Sequence, residues 1–274
     1  MKIGLAVSTF ADDAETCVSL AVNADRAGIE GVFVYDHLIG FTESGAPRAS
    51  IEAIALLGVL AIETRHTRIG ALVLRSGIRP AVLAANSLST INCISGGRLL
   101  VGIGTGDGQS AIEDAMFGIA RGDHPNRMRE LEAAVQSART RGIETWVGGR
   151  SASAQEIAAR CADGLNLWGV STETFVETSK RVSGLRSVSP ADRTCEEPFS
   201  LSWAGLVDMG SRPTEPLAVG HNDVRLSGTP IQVAGDLRAY ADAGASWAIL
   251  APLPPFGDAS VEFIASVSEI LQSG

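Results

Sequence analysis

Short apolar runs recur along this chain, and each is followed by a longer segment in which apolar residues return at helical spacing. A run without polar alternation is typical of a strand that is covered on both faces, as in a parallel sheet. The pattern predicts eight such strands, at residues 3–8, 31–35, 69–74, 99–103, 144–147, 164–168, 199–207 and 247–250.

The segments between these strands carry the boundary signals of α-helices. Asp12 or Asp13 can cap the first helix, Pro80 opens the third, and Pro230 lies in the first turn of the seventh. The predicted helices span residues 13–27, 50–63, 80–94, 126–141, 151–161, from 171 onward, 230–243 and 259–271. Residues 39–49 and 210–228 are predicted as loops, and residues 109–126 as a polar loop or a short helix.

Strands and helices alternate through the whole chain, and no segment has the composition of a linker. Eight β-α units in 274 residues favour a (β/α)8 TIM barrel, which is an α/β fold, as one domain over residues 1–274. A doubly wound open sheet is the alternative, although such a sheet normally has fewer strands before a change of domain.

Composition and charge narrow the possible partners. The net charge of −9 argues against a nucleic-acid surface, because phosphate neutralisation needs clustered Lys and Arg side chains. No apolar run reaches the roughly 18 residues of a transmembrane helix, so no membrane partner is expected. The chain begins at once with a strand-like segment rather than a signal peptide, which predicts a cytoplasmic protein. The four cysteines show no metal-ligand spacing, so no metal site is expected.

In a barrel of this kind, the loops that follow the strands build the active face. His37 is the only histidine directly behind a predicted strand, and an imidazole can donate or accept a proton near neutral pH. Asp36 beside it could orient a ring or accept a hydrogen bond. The alternative interpretation is that both residues only cap the loop.

A glycine pair leads into the fifth predicted helix, where exposed backbone amides and the helix dipole favour an anion. This predicted phosphate site consists of Gly148, Gly149, Arg150 and Ser151. Residues 102–106 read GxGTG after a strand, but the spacing of the third glycine does not fit a dinucleotide fingerprint. A nicotinamide-binding Rossmann domain is therefore disfavoured.

Segments spread over nearly the whole chain resemble the bacterial luciferase-like monooxygenase superfamily, and within it the branch that uses the deazaflavin coenzyme F420. They are AGIEGVFVYDH, RIGALVL followed by RPAVLAANSLSTINCISGGRLLVGIGTG, VGGRSASAQEIAARCADGLNLWG, and GTPIQVAGDLRAYADAGASWAIL. The block from SGGR to the GxGTG turn and the ADGxN segment are the most specific. The resemblance implies a TIM barrel, in agreement with the strand count.

The resemblance also implies where the coenzyme would bind. Its ring would lie at the carboxyl ends of the strands, backed by a non-prolyl cis peptide in a bulge of the third strand near Leu72-Val73. Asp36 resembles the residue at the polar edge of the ring, and His37 the histidine beside the reactive carbon. The other implied positions are Thr105, Gly106 and Asp107 across the ring, residues 148–151 around the phosphate, and Asn166 and Trp168 at the rim.

These features predict an oxidoreductase that transfers a hydride between coenzyme F420 and a small organic substrate. His37 is the first candidate for the coupled proton transfer, and Asp107 is the second. One alternative is an FMN-dependent monooxygenase that uses reduced flavin and oxygen, and a second is a non-catalytic flavin-binding barrel. The apolar content of the second and third helices exceeds what a barrel needs, which predicts a homodimer.

Overall fold

A computed structural model describes residues 1–10, 13–41, 46–188, 198–210, 223–254 and 256–273 of the chain. The strands in this part are β1 (Lys2–Val7), β2 (Gly31–Val34), β3 (Ile39–Phe41), β4 (Pro47–Ala49), β5 (Arg68–Arg75), β6 (Leu99–Gly104), β7 (Glu144–Gly148), β8 (Gly164–Trp168), β9 (Ser200–Asp208), β10 (Leu226–Ser227) and β11 (Trp247–Pro252). The helices are α1 (Ala14–Arg26), α2 (Ala53–Glu63), α3 (Ala81–Ile94), α4 (Gly108–Met116), α5 (His124–Arg139), α6 (Ala152–Cys161), α7 (Thr172–Val188), α8 (Pro230–Asp242) and α9 (Asp258–Gln272).

Parallel pairing closes the sheet into a barrel. The order is β1, β2, β5, β6, β7, β8, β9, β11 and back to β1. The eight predicted strands are confirmed, and closure through the β11–β1 pair excludes the open doubly wound sheet. The TIM barrel predicted from the sequence is therefore the fold of this chain.

Two predictions for the segment between β2 and α2 are wrong. Residues 39–49, predicted as a loop, include the antiparallel pair β3–β4, while residues 42–45 lie outside the described part. The second helix begins at Ala53 rather than at Ser50, because the side chain of Glu52 accepts the N–H of Ala55 at 2.7 Å and caps it. Residues 109–126 were predicted as a polar loop or a short helix, and α4 confirms the helix. The predicted loop at residues 210–228 falls largely on residues 211–222, which lie outside the described part.

Aromatic side chains fill the inside of the barrel below its mouth. Trp247, at the start of β11, lies edge-on to Phe33 and Trp146, with ring centroids 5.9 Å and 6.1 Å away. All three side chains are fully or almost fully buried. Because this interior is packed rather than hollow, a ligand has no room inside the barrel, and in barrels of this kind ligands bind at the carboxyl ends of the strands. None of the helices in the described ranges combines the length and the apolar character that crossing a lipid bilayer requires.

The carboxylate of Asp25, at the end of α1, holds the connection from α2 to β5. It accepts backbone N–H groups of three successive residues, Arg65, His66 and Thr67, at 2.7 to 2.8 Å. Burial alone would raise the pKa of Asp25, but these hydrogen bonds outweigh burial and hold the pKa below its usual range. Asp25 is therefore ionised in the folded protein at neutral pH and positions the entry into β5.

We expect Asp25→Asn to lower the free energy of unfolding at pH 7 by about 1–3 kcal/mol, because buried N–H groups lose a charged acceptor. A carboxyl whose pKa is depressed by folding stabilises the fold above its unfolded pKa, near 4, and loses that contribution as the pH falls through the folded value. The stability difference between variant and wild type should therefore shrink below about pH 4. Urea unfolding between pH 3 and pH 8 measures it, and a difference independent of pH would contradict this role.

Candidate active site

The end of β5 contains the irregular backbone that the sequence resemblance implied. The peptide bond between Leu72 and Val73 is cis, although neither residue is proline. The register of β5 against β6 shifts between Ala71 and Leu74, so the cis bond lies in a bulge. This bulge places two bulky side chains at the mouth of the barrel, one on each side of the cis bond.

Glycines in β6 and β7 provide the space for these two side chains. A Cβ atom on Gly102 would lie 2.4 Å from Leu72 Cδ2. A Cβ on Gly148 would lie 2.1 Å from Val73 Cγ1, and one on Gly104 would lie 2.8 Å from Val73 Cγ2. Atoms cannot approach this closely without displacement, so these glycines of β6 and β7 leave the space that Leu72 and Val73 occupy, and a Cβ at any of them would require one of these two side chains to move.

His37 lies at the mouth after β2 and is held by a buried carboxylate. Its Nδ1 atom is 2.5 Å from Oε1 of Glu113, a residue of α4. Oε2 of Glu113 accepts the N–H of Leu38 and Nη1 of Arg75, both at 2.9 Å. The side chain of Glu113 is 1% exposed, whereas that of His37 is 23% exposed, so the ring is accessible and its partner is not.

The electrostatics of this pair favour an ionised carboxylate. Burial alone would raise the pKa of Glu113, but the hydrogen bonds from His37 and Leu38 and the charge of Arg75 outweigh burial. The pKa of Glu113 therefore lies below its usual range. An imidazole held by an ionised carboxylate and open on its other side can accept or donate a proton.

Asp36, the neighbour of His37 in sequence, points to other partners. Its two carboxylate oxygens accept from Nη1 and Nη2 of Arg79 at 2.8 and 2.9 Å, and one of them also accepts the N–H of Arg75 at 2.8 Å. Arg79 also bonds Glu52, the cap of α2. In the structure the residue that bonds His37 is thus Glu113, not Asp36, and contact of Asp36 with a coenzyme ring stays a prediction.

Thr105, Gly106 and Asp107 follow β6 and lead into α4. Gly106 has φ +71°, and a Cβ there would lie 2.6 Å from Ser110 Oγ, so this turn needs glycine. Asp107 caps α4 by accepting the N–H of Ser110 at 2.9 Å. Burial alone would raise the pKa of Asp107, but hydrogen bonds from Ser110 and the nearby charge of His37 hold it below its usual range. A capping role is therefore established for Asp107, and its role in proton transfer stays a prediction.

The segment Gly148 to Ser151 joins the end of β7 to α6. Ser151 is the N-cap of α6 and accepts the N–H of Ala154 at 3.2 Å. The first-turn N–H groups of an α-helix have no intrahelical acceptor, so α6 has N–H groups that an anion can use, and binding of an anion here stays a prediction. Arg150 is half exposed and donates to Asp223 at 2.8 Å, so an anion would share Arg150 with that carboxylate.

Aromatic rings from the ends of β2 and β8, strands on opposite sides of the barrel, meet across its mouth. Trp168 and Tyr35 meet edge-on with ring centroids 5.9 Å apart, and Phe10 lies 5.0 Å from the ring of His37. Burial raises the pKa of the Tyr35 hydroxyl, so this group stays protonated at neutral pH. Asn166, also predicted, is buried in β8 and donates to Ser202 Oγ at 2.9 Å. The mouth therefore contains a group of aromatic rings next to the polar network around His37.

Most predicted site residues lie at or just after the carboxyl ends of barrel strands, whereas Leu72 and Val73 lie within β5 and Asn166 lies in the middle of β8. The sequence analysis missed Glu113, Arg79 and Tyr35. The signal for Glu113 was the capping pattern Asp107-x-x-Ser110, which starts a helix and places residue 113 one turn after Ser110 on the same face. A separate groove of about 620 Å³ lies between α1 and α2 on the outside of the barrel and includes none of the predicted site residues.

Comparisons with known proteins agree with this architecture. A family model described as luciferase-like monooxygenase matches residues 1–195. The F420-dependent glucose-6-phosphate dehydrogenases of Beutenbergia cavernae and Amycolatopsis mediterranei are 28% and 29% identical to this chain over 155 and 150 residues. These matches cover 55% and 53% of this chain but 42% of each relative, so the chain matches less than half the length of these curated relatives.

Solved structures share the fold at low sequence identity. An F420-dependent secondary alcohol dehydrogenase in complex with an F420-acetone adduct has a TM-score of 0.79 and 14% identity, with 98% of each chain covered. An EDTA monooxygenase from Chelativorans sp. BNC1 has a TM-score of 0.78 and 14% identity, with 100% of this chain and 93% of the other covered. At these identities the likeness extends to the barrel and not to the reaction.

The packing of Val73 against Gly148 predicts that a side chain at position 148 lowers the stability of the protein. We expect Gly148→Ala to lower the free energy of unfolding by about 1–3 kcal/mol, because the new methyl group overlaps Val73 Cγ1. Val73→Ala in the same chain should restore part of this loss, and a double-mutant cycle from urea unfolding measures the coupling.

Gly58 provides the matched control, because it lies within α2 and a Cβ there would meet nothing within 4 Å. Gly58→Ala should stabilise the protein by about 0.5–1 kcal/mol through helix propensity alone. Additive effects of Gly148→Ala and Val73→Ala would show that the two positions do not pack as described.

Proposed function

Because the chain belongs to the luciferase-like monooxygenase family, we propose that it is an oxidoreductase that transfers a hydride between coenzyme F420 and a small organic substrate. The observation that carries the proposal is the pairing of His37 with buried Glu113 at the barrel mouth that also contains the Leu72-Val73 cis bond. The F420-dependent dehydrogenases among its relatives support the choice of coenzyme.

The residues at the mouth fit a flat coenzyme that carries a phosphate. In the bulge at Leu72-Val73, the partly exposed side chain of Val73 offers an apolar surface for one face of a ring. The first turn of α6 offers N–H groups to a phosphate, with Arg150 and the hydroxyl of Ser151 next to them. Asn166 and Trp168 would border the remainder of the coenzyme or the substrate.

When bound, the coenzyme would supply the carbon that accepts or gives the hydride. His37 would take up or release the accompanying proton, since its ring is accessible and its orientation is held by Glu113. Asp107 is the second candidate, and because its pKa is lowered it could accept a proton but would not carry one at neutral pH. Phe10, Tyr35 and Trp168 would exclude water from the part of the mouth next to the His37 ring.

Two alternatives make different predictions for the same mouth. An FMN-dependent monooxygenase would bind reduced flavin and consume oxygen. A non-catalytic barrel would bind a flavin-like molecule without turnover. A cytoplasmic location also stays a prediction.

Titration of the purified protein with coenzyme F420 and with FMN, followed by absorbance, tests the proposal. We expect tighter binding of coenzyme F420, turnover independent of oxygen, and a loss of roughly 10²–10⁴-fold in kcat for His37→Ala because proton transfer is removed. Coenzyme binding should survive in this variant.

Tighter FMN binding with oxygen-dependent turnover would overturn the deazaflavin proposal. Turnover that is unchanged in His37→Ala would remove this residue from the reaction. Absence of turnover with either coenzyme, over a range of alcohol and aldehyde substrates, would favour the non-catalytic barrel.

We further propose that the protein forms a homodimer through α2 and α3. These neighbouring helices expose five large apolar side chains, which are 44% to 63% exposed: Val59, Ile62, Val82, Leu83 and Ile94. Several exposed apolar side chains on two neighbouring helices are typical of the apolar patch at a protein–protein interface. A second copy presents the same patch, so a two-fold contact buries both.

Leu83→Glu should convert this dimer to a monomer, because burying an unpaired carboxylate in an apolar contact is costly. Size-exclusion chromatography with light scattering measures the change in mass. Ile231→Glu is the matched control, since Ile231 is 71% exposed but lies on α8, and it should leave the mass unchanged. A wild-type protein that elutes as a monomer at micromolar concentration would contradict the proposal.

A further inference from the structure

The two nitrogens of the His37 ring have different environments. Nδ1 lies 2.5 Å from Oε1 of Glu113, whereas Nε2 has no protein partner among the described residues. An ionised carboxylate can only accept hydrogen bonds, so the neutral imidazole must carry its proton on Nδ1 to make this contact. Nε2 then has a free lone pair that faces away from Glu113.

We propose that Glu113 is a positioning residue that fixes the tautomer of His37, so that Nε2 is the only ring atom that exchanges a proton with the bound reactants. In the neutral ring Nε2 accepts a proton, and in the imidazolium the same atom donates it, while Nδ1–H stays bonded to Glu113 in both states. The transfer of this proton to the bound reactants rests on the proposed function. The tautomer itself does not, because it follows from the contact between His37 and Glu113.

The surroundings of Glu113 restrict it to this arrangement. Its other oxygen, Oε2, already accepts from the Leu38 N–H and from Arg75 Nη1. The Leu38 bond also holds the backbone next to His37, so one carboxylate positions both the ring and the chain that carries it. Arg75 is 4% exposed and is bonded by Asp114 through Nη2, which keeps a positive charge beside Glu113.

Glu113→Gln is the decisive variant, because it keeps the shape of the side chain and changes its donors and acceptors. The Leu38 N–H and Arg75 Nη1 donate toward the position of Oε2, so the amide oxygen should occupy that position. The amide NH₂ group would then face Nδ1 of His37. Since an NH₂ group can only donate, His37 would have to leave Nδ1 unprotonated and carry its proton on Nε2.

Long-range ¹H–¹⁵N correlation spectra of the uniformly ¹⁵N-labelled protein, at a pH where the imidazole is neutral, distinguish the two tautomers. The His37 signals are assigned by their absence in His37→Gln. We expect the Nδ1–H tautomer in wild type and a shift to the Nε2–H tautomer in Glu113→Gln. An Nε2–H tautomer in wild type would overturn the inference, and so would a tautomer that stays the same in both proteins.

Asp114→Asn is the matched control, since Asp114 bonds the same Arg75 but has no contact with His37. It should keep the Nδ1–H tautomer, and a switch in this variant would show that loosening of Arg75, rather than the identity of residue 113, sets the ring. The wild-type tautomer needs only the His37→Gln spectrum for its assignment, so it is tested even where Glu113→Gln or Asp114→Asn fails to fold.

A kinetic comparison tests the positioning role apart from the tautomer. In the coenzyme F420 assay described above, Glu113→Gln should lower kcat by roughly 10²–10³-fold with KM within a few-fold of wild type, because the wrong ring atom carries the proton. A rise in KM with unchanged kcat would overturn the positioning role. A switched tautomer together with full activity of His37→Ala would support the assignment of the tautomer and overturn the proposed function of His37.

Discussion

The buried guanidinium of Arg75 is the constraint on which the mouth of the barrel depends. It lies at the end of β5, with 4% of its side chain exposed, and it contacts the carboxylates of Glu113 and Asp114. Removing one partner of such a buried pair costs about 3–5 kcal/mol, because the remaining charge has neither water nor a counter-ion. The position of α4 is therefore tied to the strand end, and with it the carboxylate that holds His37.

The same strand end is connected to α2 through a second set of charges. The backbone N–H of Arg75 bonds Asp36, Asp36 bonds Arg79, and Arg79 bonds Glu52 at the start of α2. Along this series of contacts from α4 to α2, negatively and positively charged side chains alternate, and they surround the residues next to His37. This arrangement positions the histidine by carboxylates on two sides, although only Glu113 contacts the ring.

The sequence was sufficient to predict the barrel because its strands are buried on both faces and its helices begin and end with clear signals. For example, the apolar run from Ile69 to Leu74 predicts a buried strand, and the glycines after Ile94 predict the end of a helix. The hairpin of β3 and β4 was missed because each strand has three residues and neither shows a recognisable alternation. Pairing between such short strands depends on what they pack against, which a local pattern does not contain.

The candidate site was predictable in part for a related reason. The fold itself places residues after each strand at one mouth, so Asp36, His37 and residues 148–151 could be located from the strand count. The partner of His37 could not, because Glu113 is 76 residues away in sequence and the polar segment around it predicted no definite helix. The orientation of Asp36 also depends on Arg79, whose importance appears only when the strand ends are brought together.

The space that Gly102 leaves for Leu72, and Gly148 for Val73, has a consequence for how this family of barrels can evolve. A side chain at position 102 would displace the end of Leu72, so substitutions at the two positions are not independent. A lineage that replaces Leu72 by a smaller residue gains freedom at position 102, and one that first acquires alanine at 102 accepts leucine at 72 only with a changed position of its side chain. The order in which such mutations arise, as well as their identity, therefore affects which combinations of side chains can evolve at the mouth of the barrel.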